Sequence, residues 1–404
     1  MAAVRSLLFS TLYPSAARPG HGIFVETRLR ELLKTGSVDA RVVAPVAWFP
    51  SRNERFGDRA SMARTPAREQ RSGIEVLHPR YALVPKLGMS SAPLTLALGA
   101  LGSLRNLLHS GFDFDVIDAH YFYPDGVAAV LLGAWLGKPV VITARGSDVN
   151  LIARYTLPRQ WMYWASKRAA ALVGVSAALV DRMAELGMPR DRMHVMRNGV
   201  DLQRFVPLHR LAARKSTATF GSPLLLSVGN LLPLKGHDLC IDALALLLPA
   251  HPLARLAIVG AGPQRAALLA HAQARGVSAA VDLVGSVPNS DLAAWYSAAD
   301  LLLLASSREG WPNVLLESMA CGTPVLATAV GGVPEIVRSP TAGRLVHERS
   351  AAALASGVGD MLANMPQRTA VRGYAERFGW NDTSQQQVAL FERLAAQGAH
   401  HAVA

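Results

Sequence analysis

The sequence is poor in cysteine and in charged residues. Only Cys240 and Cys321 occur in 404 residues, both within apolar stretches. This excludes a disulfide scaffold or a cysteine-based zinc site and predicts reduced core thiols in a cytoplasmic protein. Charged residues make up 17% of the chain, below the roughly 25% of an average soluble domain. With 50% apolar residues, long disorder is not expected, and one surface should be unusually apolar.

The sequence also lacks an uninterrupted apolar run long enough to cross a membrane. The most apolar long stretch, 89–108, contains Pro93, two glycines and Arg105, which argues against a spanning helix but leaves a helix that lies on a membrane surface. The N-terminal residues resemble a signal peptide, with one Arg before a short apolar run. That run is short for a signal core, and a Pro-Gly-rich loop and a helical pattern follow it, so we expect a buried strand over Val4–Leu12.

Positive charge is in excess and is unevenly distributed. Lys and Arg number 41 against 29 Asp and Glu, which gives +12. Residues 1–200 hold 25 basic and 15 acidic side chains (+10), whereas 201–404 hold 16 and 14 (+2). Between Arg52 and Lys86 alone there are eight basic and four acidic residues (+4). No nucleic-acid recognition motif accompanies this charge, so it predicts attraction to an anionic lipid surface and to a phosphate-bearing substrate.

Short apolar runs alternate with longer helical patterns in both halves, which is typical of parallel sheets with crossover helices. The turn-rich segment around 198–201 separates two α/β domains. The polar, Arg-rich stretch 51–72 is predicted to be an exposed loop, and 374–397 a terminal helix. The predicted strands are Val4–Leu12, Ala40–Pro45, Val116–Ala119, Val140–Thr143 and Ala171–Val175 in the first half, and Leu224–Val228, Arg255–Val259, Val281–Val284, Leu301–Ala305 and Val325–Ala329 in the second.

In doubly wound sheets, ligands bind beyond the carboxyl ends of the strands. There, the loop 306–313 follows one strand and precedes a helix predicted over Val314–Cys321, which Gly322 would end. Backbone N–H groups at such a helix start can bind a phosphate without a metal. Glu309 and Glu317 bracket that start, and carboxylates beside an anion site suit sugar hydroxyls. This favours a nucleotide sugar, although a dipole partner and a solvated loop charge would explain the two acids equally well.

Further strand ends carry candidate ligand groups. Lys235, before a glycine at a strand-to-helix turn, can neutralise a diphosphate, with an ordinary surface lysine as the alternative. Gly260 and Gly262 form half of a dinucleotide fingerprint, which a plain tight turn also explains. In the first half, the loop that ends at Gly22 can approach a phosphate or sugar closely. His120, Arg145 and Asp148 follow two more strands and predict an acceptor site. We assign no metal, because the Asp113-Phe114-Asp115 triplet lies just before a strand.

Several blocks together resemble the retaining glycosyltransferases of family four (group 1 glycosyltransferases), which have the GT-B fold. In the second half these are SVGNLLPLKGHDLCIDAL, IVGAGP, VDLVGSVPNSDLAAWYSAADLLLLAS, SREGWPNVLLESMACGTPVLATAVGGVPEIV and, before them, MRNGVD. The first half matches more loosely, through PGHGIFVETRLREL, DAHYFYPDGVAA and ITARGSDVN.

The resemblance implies an α/β protein with two facing Rossmann-like domains and a cleft between them. Residues 1–203 would bind the acceptor, 204–373 would bind the nucleotide sugar, and 374–404 would form a helix that crosses back to the first domain. Glu309, Lys235 and Arg145 are the expected catalytic residues, and His120, Arg145 and Asp148 the expected acceptor-binding ones. The expected donor-binding residues are Gly22, Asn230, Lys235, Gly260, Gly262, Ser286, Val287, Glu309, Gly310, Trp311, Pro312, Asn313, Val314, Leu315 and Glu317.

The sequence departs from the family pattern at two positions. Asn230 stands where the family usually has an Arg that helps the Lys bind the diphosphate. Lys235 would therefore bind the diphosphate with fewer cationic partners, unless another basic residue, such as Arg145, takes the place of that Arg. Arg145 itself stands where the family commonly has His. An arginine stays protonated and cannot serve as an ordinary base, so Arg145 would instead clamp a phosphate of the acceptor or the donor.

The function expected from the sequence is metal-independent transfer of a sugar, with retention, from a UDP- or GDP-linked donor to an acceptor hydroxyl. The acceptor would be a lipid-linked glycan of cell-surface polysaccharide synthesis, and the protein a cytoplasmic one at the inner face of the membrane. No cofactor and no nucleic acid is expected. The alternatives are a nucleotide-sugar epimerase of similar architecture and a sugar-nucleotide sensor without catalysis.

Overall fold

The fold was analysed in a computed structural model that describes residues 3–83 and 88–402. Contacts between residues divide the chain into two units: unit 1 comprises Met1–Arg197 and Asn381–Ala404, and unit 2 comprises Asn198–Trp380. The chain therefore passes between the units twice, after Arg197 and after Trp380. The predicted boundaries follow residues 203 and 373.

Unit 1 is built on an eight-stranded sheet of order β10-β9-β8-β7-β1-β2-β5-β4. All neighbouring strands are parallel except β4 and β5. Two further strands, β3 and β6, pair with each other outside that sheet. The strands are β1 (Val4–Phe9), β2 (Val38–Val43), β3 (Val46–Ala47), β4 (Arg68–Arg71), β5 (Ile74–Leu77), β6 (Arg80–Tyr81), β7 (Val116–His120), β8 (Val140–Ala144), β9 (Ala171–Gly174) and β10 (Met193–Val195).

Helices connect these strands, as parallel pairing requires. The helices of unit 1 are α1 (Ile23–Leu33), α2 (Asp58–Arg64), α3 (Gly88–His109), α4 (Val127–Leu136), α5 (Ser147–Asn150), α6 (Thr156–Ser166) and α7 (Ala177–Glu185), together with the last helix of the chain, α16 (Asn381–Ala402). The buried side chains Val388 and Phe391 of α16 share a core cluster with Val4, Val116 and Val141. The last helix therefore contributes directly to the hydrophobic core of unit 1.

Unit 2 contains a six-stranded parallel sheet of order β13-β12-β11-β14-β15-β16, the doubly wound arrangement of a Rossmann-like domain. Its strands are β11 (Leu224–Val228), β12 (Arg255–Val259), β13 (Val281–Gly285), β14 (Leu301–Leu304), β15 (Val325–Thr328) and β16 (Gly343–Val346). Its helices are α8 (Arg210–Ser216), α9 (His237–Leu247), α10 (Arg265–Ala274), α11 (Leu292–Ala298), α12 (Asn313–Ala320), α13 (Val333–Ile336), α14 (Ala351–Ala363) and α15 (Arg368–Ala375). Cys240 and Cys321 are buried free thiols.

Two regions differ from the sequence predictions. The stretch 51–72 is exposed over much of its length, but it is not a loop: it contains α2 and β4. Its polar, Arg-rich composition hid both elements, because β4 pairs only with β5 at the edge of the sheet and α2 buries only Ala60. The segment 374–397 is not one helix either. The helix α15 ends at Ala375, and α16 begins at Asn381 after a 3₁₀ turn over Glu376–Phe378.

The apolar stretch 89–108 forms most of α3. Within residues 3–83 and 88–402, no helix combines the length and the apolar character needed to cross a bilayer. The predicted basic segment ends at Lys86, which lies outside the described residues.

Candidate active site

Lys235 and Glu309 form an ion pair at the carboxyl edge of the unit 2 sheet. The Nζ of Lys235 donates to Oε1 of Glu309 at 2.6 Å, and the Ser306 hydroxyl donates to the same oxygen, also at 2.6 Å. Both charged side chains are largely buried, with 21% and 10% of the Lys and Glu side-chain surface exposed. The loop after β11 and the loop after β14 therefore meet through one carboxylate oxygen.

The backbone around Glu309 is held by a close approach from Gly331. Gly331 adopts φ +52°, and a Cβ atom at this position would lie 1.8 Å from the carbonyl oxygen of Glu309. Only glycine tolerates this combination of left-handed backbone and contact. The loop after β15 thus fixes the position from which the Glu309 side chain reaches Lys235.

Helix α12 begins directly after this loop and leaves its first amides without a side-chain cap. Pro312 precedes the helix with extended backbone, and no side chain caps the helix start. The neighbouring Trp311 is buried, and its indole N–H donates to the carbonyl of Asn198 at 2.9 Å. The side-chain amide of Asn198 donates to Oδ1 of Asn313 at 3.3 Å. These contacts orient a helix N-terminus that can receive an anion.

Glu317 lies one turn inside α12 and is partly buried. Oε2 accepts a 2.7 Å hydrogen bond from the Tyr296 hydroxyl. Burial raises the pKa of the Glu317 carboxyl to about 7, against the lowering effects of the Tyr296 hydrogen bond and the Arg204 charge. The Glu317 carboxyl is therefore protonated in a substantial share of molecules at neutral pH. It can donate a hydrogen bond to a ligand hydroxyl in the protonated form and accept one in the ionised form.

The loops after β11 and β12 pack tightly against each other. Gly260 adopts φ +152°, and a Cβ there would lie 1.9 Å from the Gly229 carbonyl oxygen. Gly260 is thus required by backbone packing, as is Gly262, which packs against Leu231. Asn230 is exposed at the tip of its loop. Ser286 and Val287 follow β13 at the same edge of the sheet, with Ser286 exposed.

A second cation of unit 2 lies beside the Lys235 loop. Arg349 donates from Nε to the Ala305 carbonyl at 2.9 Å, and its Nη2 would lie 2.9 Å from a Cβ at Gly236, the residue after Lys235. Arg145, suggested from the sequence as the compensating cation, belongs to unit 1. Over the described ranges, no group of three or more His, Cys, Asp and Glu side chains is arranged to hold a metal ion.

In unit 1, a buried network of hydrogen-bonded side chains lies at the ends of β7 and β8. Arg145 donates from Nη2 to Nδ1 of His120, whose Nε2 is 3.0 Å from Oδ2 of Asp118. Burial lowers the pKa of His120 to about 4, although Asp118 opposes this effect. The imidazole is therefore neutral, with its proton on Nε2. Burial and the Arg28 charge lower the pKa of Arg145 to about 9, so it stays cationic at neutral pH.

The hydrogen-bonded network also includes side chains of helices α1 and α16. The fully buried Arg28 donates from Nε to Oε1 of Gln387 at 2.9 Å, and Gln387 donates from Nε2 to Oδ2 of Asp118 at 3.0 Å. Burial would raise the pKa of Asp118, but His120 and the two arginines hold it below its usual value. The last helix of the chain thus supports the Asp118–His120–Arg145 group.

Asp148 is held by backbone N–H groups in the loops after β7 and β8. It is fully buried and accepts hydrogen bonds from the backbone N–H groups of Phe122, Arg145, Gly146 and Val149, at 2.7–3.2 Å. Both carboxylate oxygens are used in shaping the loops after β7 and β8. Direct contact of Asp148 and His120 with an acceptor stays a prediction; in this structure their side chains position Arg145.

The remaining expected donor residues keep their places along the chain. Gly310, Trp311 and Pro312 lie in the loop before α12, and Asn313, Val314 and Leu315 form its first turn. Gly22 lies in unit 1, buried against the Leu12 carbonyl just before α1.

Sequence reasoning missed several residues that define these sites. Tyr296, Gly331 and Arg349 contact the unit 2 site from separate elements, and Arg28 and Gln387 contact the unit 1 network. Tyr296, Gly331 and Arg28 stand inside the quoted family blocks, but the blocks do not signal these contacts, because each contact is made with a partner distant in sequence. Ser306 lies inside the ligand loop identified from sequence, but nothing in the sequence indicates its hydrogen bond to Glu309.

Comparison with known proteins places this architecture in a family. Residues 210–378 match the family described as Glycosyl transferases group 1, and residues 20–204 match Glycosyltransferase Family 4. TuaC of Bacillus subtilis (strain 168), named as a glycosyltransferase of teichuronic acid biosynthesis, is 30% identical over 88% of this chain and 88% of its own. A D-inositol 3-phosphate glycosyltransferase of Thermobispora bispora is 30% identical over 82% of this chain and 83% of its own.

Solved structures show the same fold at lower identity. Sucrose-phosphate synthase from Thermosynechococcus elongatus superimposes with a TM-score of 0.78 at 20% identity, over 98% of this chain and all (100%) of that one. Anabaena Alr3699/HepE, solved in complex with UDP, gives a TM-score of 0.71 at 17% identity, over 96% and 100% of the two chains. Both parts of the prediction, two Rossmann-like domains and the family resemblance, are confirmed. This chain is a glycosyltransferase of group 1, family four, with the GT-B fold.

Proposed function

We propose that this glycosyltransferase transfers a sugar, with retention and without a metal, from a UDP- or GDP-linked donor to an acceptor hydroxyl. The observation that carries the proposal is the Lys235–Glu309 ion pair next to the uncapped start of α12. A cation and free backbone amides suit a diphosphate, while a carboxylate suits sugar hydroxyls and developing positive charge. Unit 2 would bind the donor.

Departure of the diphosphate requires its new negative charge to be stabilised. Lys235 supplies a point charge, and the amides of Asn313 and Val314 supply oriented dipoles that need no reorganisation during the reaction. A bound diphosphate would compete with Glu309 for the Lys235 ammonium. Glu309 would then be released to accept from a sugar hydroxyl and to face the developing positive charge at the anomeric carbon.

Glu317 would bind the two hydroxyls of the donor ribose. Its carboxylate already accepts a hydrogen bond from Tyr296, and its raised pKa makes the ionised form costly without further donors. Ribose hydroxyls would supply those donors. Binding of the nucleotide should therefore favour the ionised form of Glu317.

On the acceptor side, Arg145 is positioned by His120 but cannot act as a base. Neither ring nitrogen of the neutral His120 is available, because one accepts from Arg145 and the other donates to Asp118. The acceptor proton would instead pass to an oxygen of the departing diphosphate on the same face of the sugar, which gives retention. Arg145 would clamp an anionic group of a substrate.

The proposed acceptor is a lipid-linked glycan, because unit 1 exposes an apolar helix face close to this edge of its sheet. On α3, Met89, Leu94 and Leu98 are 50%, 45% and 57% exposed. No charged residue occurs in α3 before Arg105. The Tyr123 hydroxyl, in the loop after β7, donates to the Met89 carbonyl. The exposed Met89 at the start of α3 thus lies next to the loop that follows His120, and the exposed Leu94 and Leu98 follow farther along the helix.

A basic and aromatic segment lies beside that helix. Trp48 is 61% exposed and donates its backbone N–H to the Tyr81 carbonyl, and Gly99 of α3 packs against Tyr81. Next along the chain, Arg55 stacks on Phe56, and Arg59 lies over Phe49. Aromatic rings with neighbouring arginines and an apolar helix face are typical of peripheral binding to anionic membranes. The two relatives named for teichuronic acid and D-inositol 3-phosphate fit an anionic acceptor or product.

The test is to incubate the purified protein with labelled nucleotide sugars and a bacterial membrane extract. Label that moves into the lipid fraction in wild type but not in Lys235→Ala supports the proposal. Conversion of the free donor to another sugar nucleotide, without transfer, would instead identify an epimerase, which the comparisons do not favour. If the protein binds labelled nucleotide sugars but turns none of them over, it is a sensor and the proposal is wrong.

A further inference from the structure

A cavity of about 170 Å³ opens in unit 1 beside the loops that follow β1, β2 and β5. These strands are neighbours in the sheet, and β1 also neighbours β7. The Ser10 hydroxyl, at the end of β1, donates to the His120 carbonyl at 2.9 Å. The cavity therefore lies at the same sheet edge as the Asp118–His120–Arg145 group but is lined by other residues.

Its polar wall is rich in hydrogen-bond donors. Tyr13, Arg18, His21 and Tyr81 line it, and no Asp or Glu among the described residues does. The volume is many times the roughly 10–15 Å³ that one water molecule requires. The cavity thus has the size and the chemistry for a small negatively charged group.

Arg18 gives this wall an uncompensated charge. Its Nη2 donates to Nδ1 of His21 at 2.9 Å, and within the described part of the chain no carboxylate approaches it to ion-pair distance. Asp58 acts on the pKa of Arg18 only from farther away, against the larger lowering effect of burial. A half-buried guanidinium without a counter-ion is costly unless a ligand supplies the anion.

His21 orients Arg18 without adding charge. Burial and the Arg18 charge lower the pKa of His21, so the ring is neutral at pH 7. Because Nδ1 accepts from Arg18, the proton resides on Nε2, which donates to the Thr11 carbonyl at 3.1 Å. Both ring nitrogens are used, and Arg18, which lines the cavity, keeps N–H groups that no described residue accepts.

Tyr81 adds a second donor to this wall. Its side chain lies near enough to Arg18 for the charge of each to act on the pKa of the other. Burial, more than the Asp125 charge, raises the pKa of Tyr81 to about 12, so the hydroxyl keeps its proton. A protonated hydroxyl beside a cation that is not ion-paired suits an oxyanion in the same cavity.

We propose that this cavity binds an oxyanion group of the acceptor, a phosphate or a carboxylate, through Arg18 and the Tyr81 hydroxyl. The assignment of this group to the acceptor rests on the proposed function. The site itself does not, since it follows from the cavity, from its lining by Arg18 and Tyr81, and from the lack of a carboxylate paired with Arg18 among the described residues. Met62 of α2 and Thr65 form another part of the wall, so the cavity adjoins the Arg-rich segment that would contact the membrane.

The experiment is a calorimetric titration of the full chain with inorganic phosphate and, separately, with glucuronate as a carboxylate probe. Wild type should bind phosphate at two sites, one dependent on Lys235 and one on Arg18. Arg18→Gln should lose only the second site, and Arg159→Gln, which neutralises an exposed arginine of α6, should keep both. Tyr81→Phe should weaken the Arg18-dependent site at least threefold without lowering the melting temperature. Glucuronate binding that requires Arg18 would identify a carboxylate as the preferred group.

The outcomes separate this inference from the proposed function. If phosphate binds Arg18→Gln and wild type with the same stoichiometry and affinity, the cavity is not an oxyanion site, whatever Lys235→Ala does. In transfer assays, Arg18→Gln should raise the acceptor KM at least tenfold and leave the donor KM unchanged. An unchanged acceptor KM would separate the cavity from the acceptor even if it binds phosphate.

Discussion

Lys235 and Glu309, 74 residues apart in sequence, share a 2.6 Å ion pair at the carboxyl edge of the unit 2 sheet. The pair unites the two features that a sugar-nucleotide site needs, a cation for the diphosphate and a carboxylate for the sugar. Each residue neutralises the other while no ligand is bound, so neither charge stands buried alone.

The first prediction concerns this pair. Lys235→Ala and Glu309→Ala should each lower kcat at least ~100-fold, about 3 kcal/mol of transition-state stabilisation, because the leaving group or the developing positive charge loses its partner. Circular dichroism should show a folded protein in both cases. The control is Lys215→Ala, an exposed lysine of α8 in the same unit. Turnover near the wild-type rate in either site variant would remove that residue from the mechanism.

Gly331→Ala tests whether the loop after β15 positions Glu309. A Cβ would collide with the Glu309 carbonyl, and φ of +52° is unfavourable for alanine, so we expect transfer to fall at least tenfold while donor binding changes less. Gly373→Ala is the matched control, since a Cβ there meets no atom within 4 Å. Equal activities of the two alanine variants would contradict the positioning role.

Glu317 predicts a pH dependence of stability. Because the folded state raises its pKa to about 7 from the ordinary 4.5, the native protein binds more protons than the unfolded chain between these values. Stability should therefore fall as pH rises from about 4.5 to 7, by up to about 3 kcal/mol from this group. Urea unfolding of Glu317→Gln at pH 5 and pH 8 should show a smaller difference than wild type. Identical differences would exclude the shift.

Nucleotide binding should release a proton from the same residue. If ribose hydroxyls favour the ionised Glu317, calorimetric titration of the preferred nucleotide at pH 6.5, in buffers of different ionisation enthalpy, should reveal proton release in wild type and none in Glu317→Gln. Equal proton release in the two proteins would place the titrating group elsewhere.

The buried hydrogen-bond network of unit 1 predicts that Gln387 stabilises the fold. Gln387→Leu removes one hydrogen-bond partner each of Arg28 and Asp118 and should lower the free energy of unfolding by about 1–3 kcal/mol. Gln386→Leu, on the exposed side of α16, should change it by less than about 0.5 kcal/mol. Urea denaturation measures both, and equal stabilities of the two variants would show that the buried contacts carry no net energy.

Membrane contact is tested on the α3 face. Leu94→Ser combined with Leu98→Ser should reduce sedimentation with anionic vesicles at least threefold, since two exposed apolar side chains are lost. Leu211→Ser, which alters a 70% exposed leucine of unit 2, is the control.

Neutralising Arg52, Arg55 and Arg59 should weaken sedimentation and its salt dependence, and unchanged sedimentation would overturn the assignment of the positive charge to lipid.

The sequence predicted the unit 2 strands more accurately than those of unit 1. Leu224–Val228 and Arg255–Val259 have the predicted bounds because each apolar run is followed directly by a glycine and is largely buried inside the sheet. The strands β3, β4, β5, β6 and β10 of unit 1 and β16 of unit 2 were not predicted. Each is four residues long or shorter and none is buried along its whole length, so they lack the apolar run by which central strands are identified.

For the sites, the loops could be located from sequence but their internal bonds could not. The composition of 306–313 pointed to a ligand loop, yet the bond between Ser306 and Glu309 and the support from Gly331 depend on how three loops meet. Likewise, Asp148 has the same side chain whether it faces a ligand or four backbone amides. Only the structure distinguishes the two environments.

Helix α16, which closes the core of unit 1, is translated after the whole of unit 2, whereas unit 2 is one continuous segment. During synthesis, unit 2 can complete its fold as soon as Trp380 has left the ribosome tunnel. Unit 1 must wait with Val4, Val116 and Val141 lacking the cover that Val388 and Phe391 later provide. Unit 1 is therefore synthesised first but completes its fold after unit 2, and a nascent chain stalled before α16 exposes an apolar surface to chaperones.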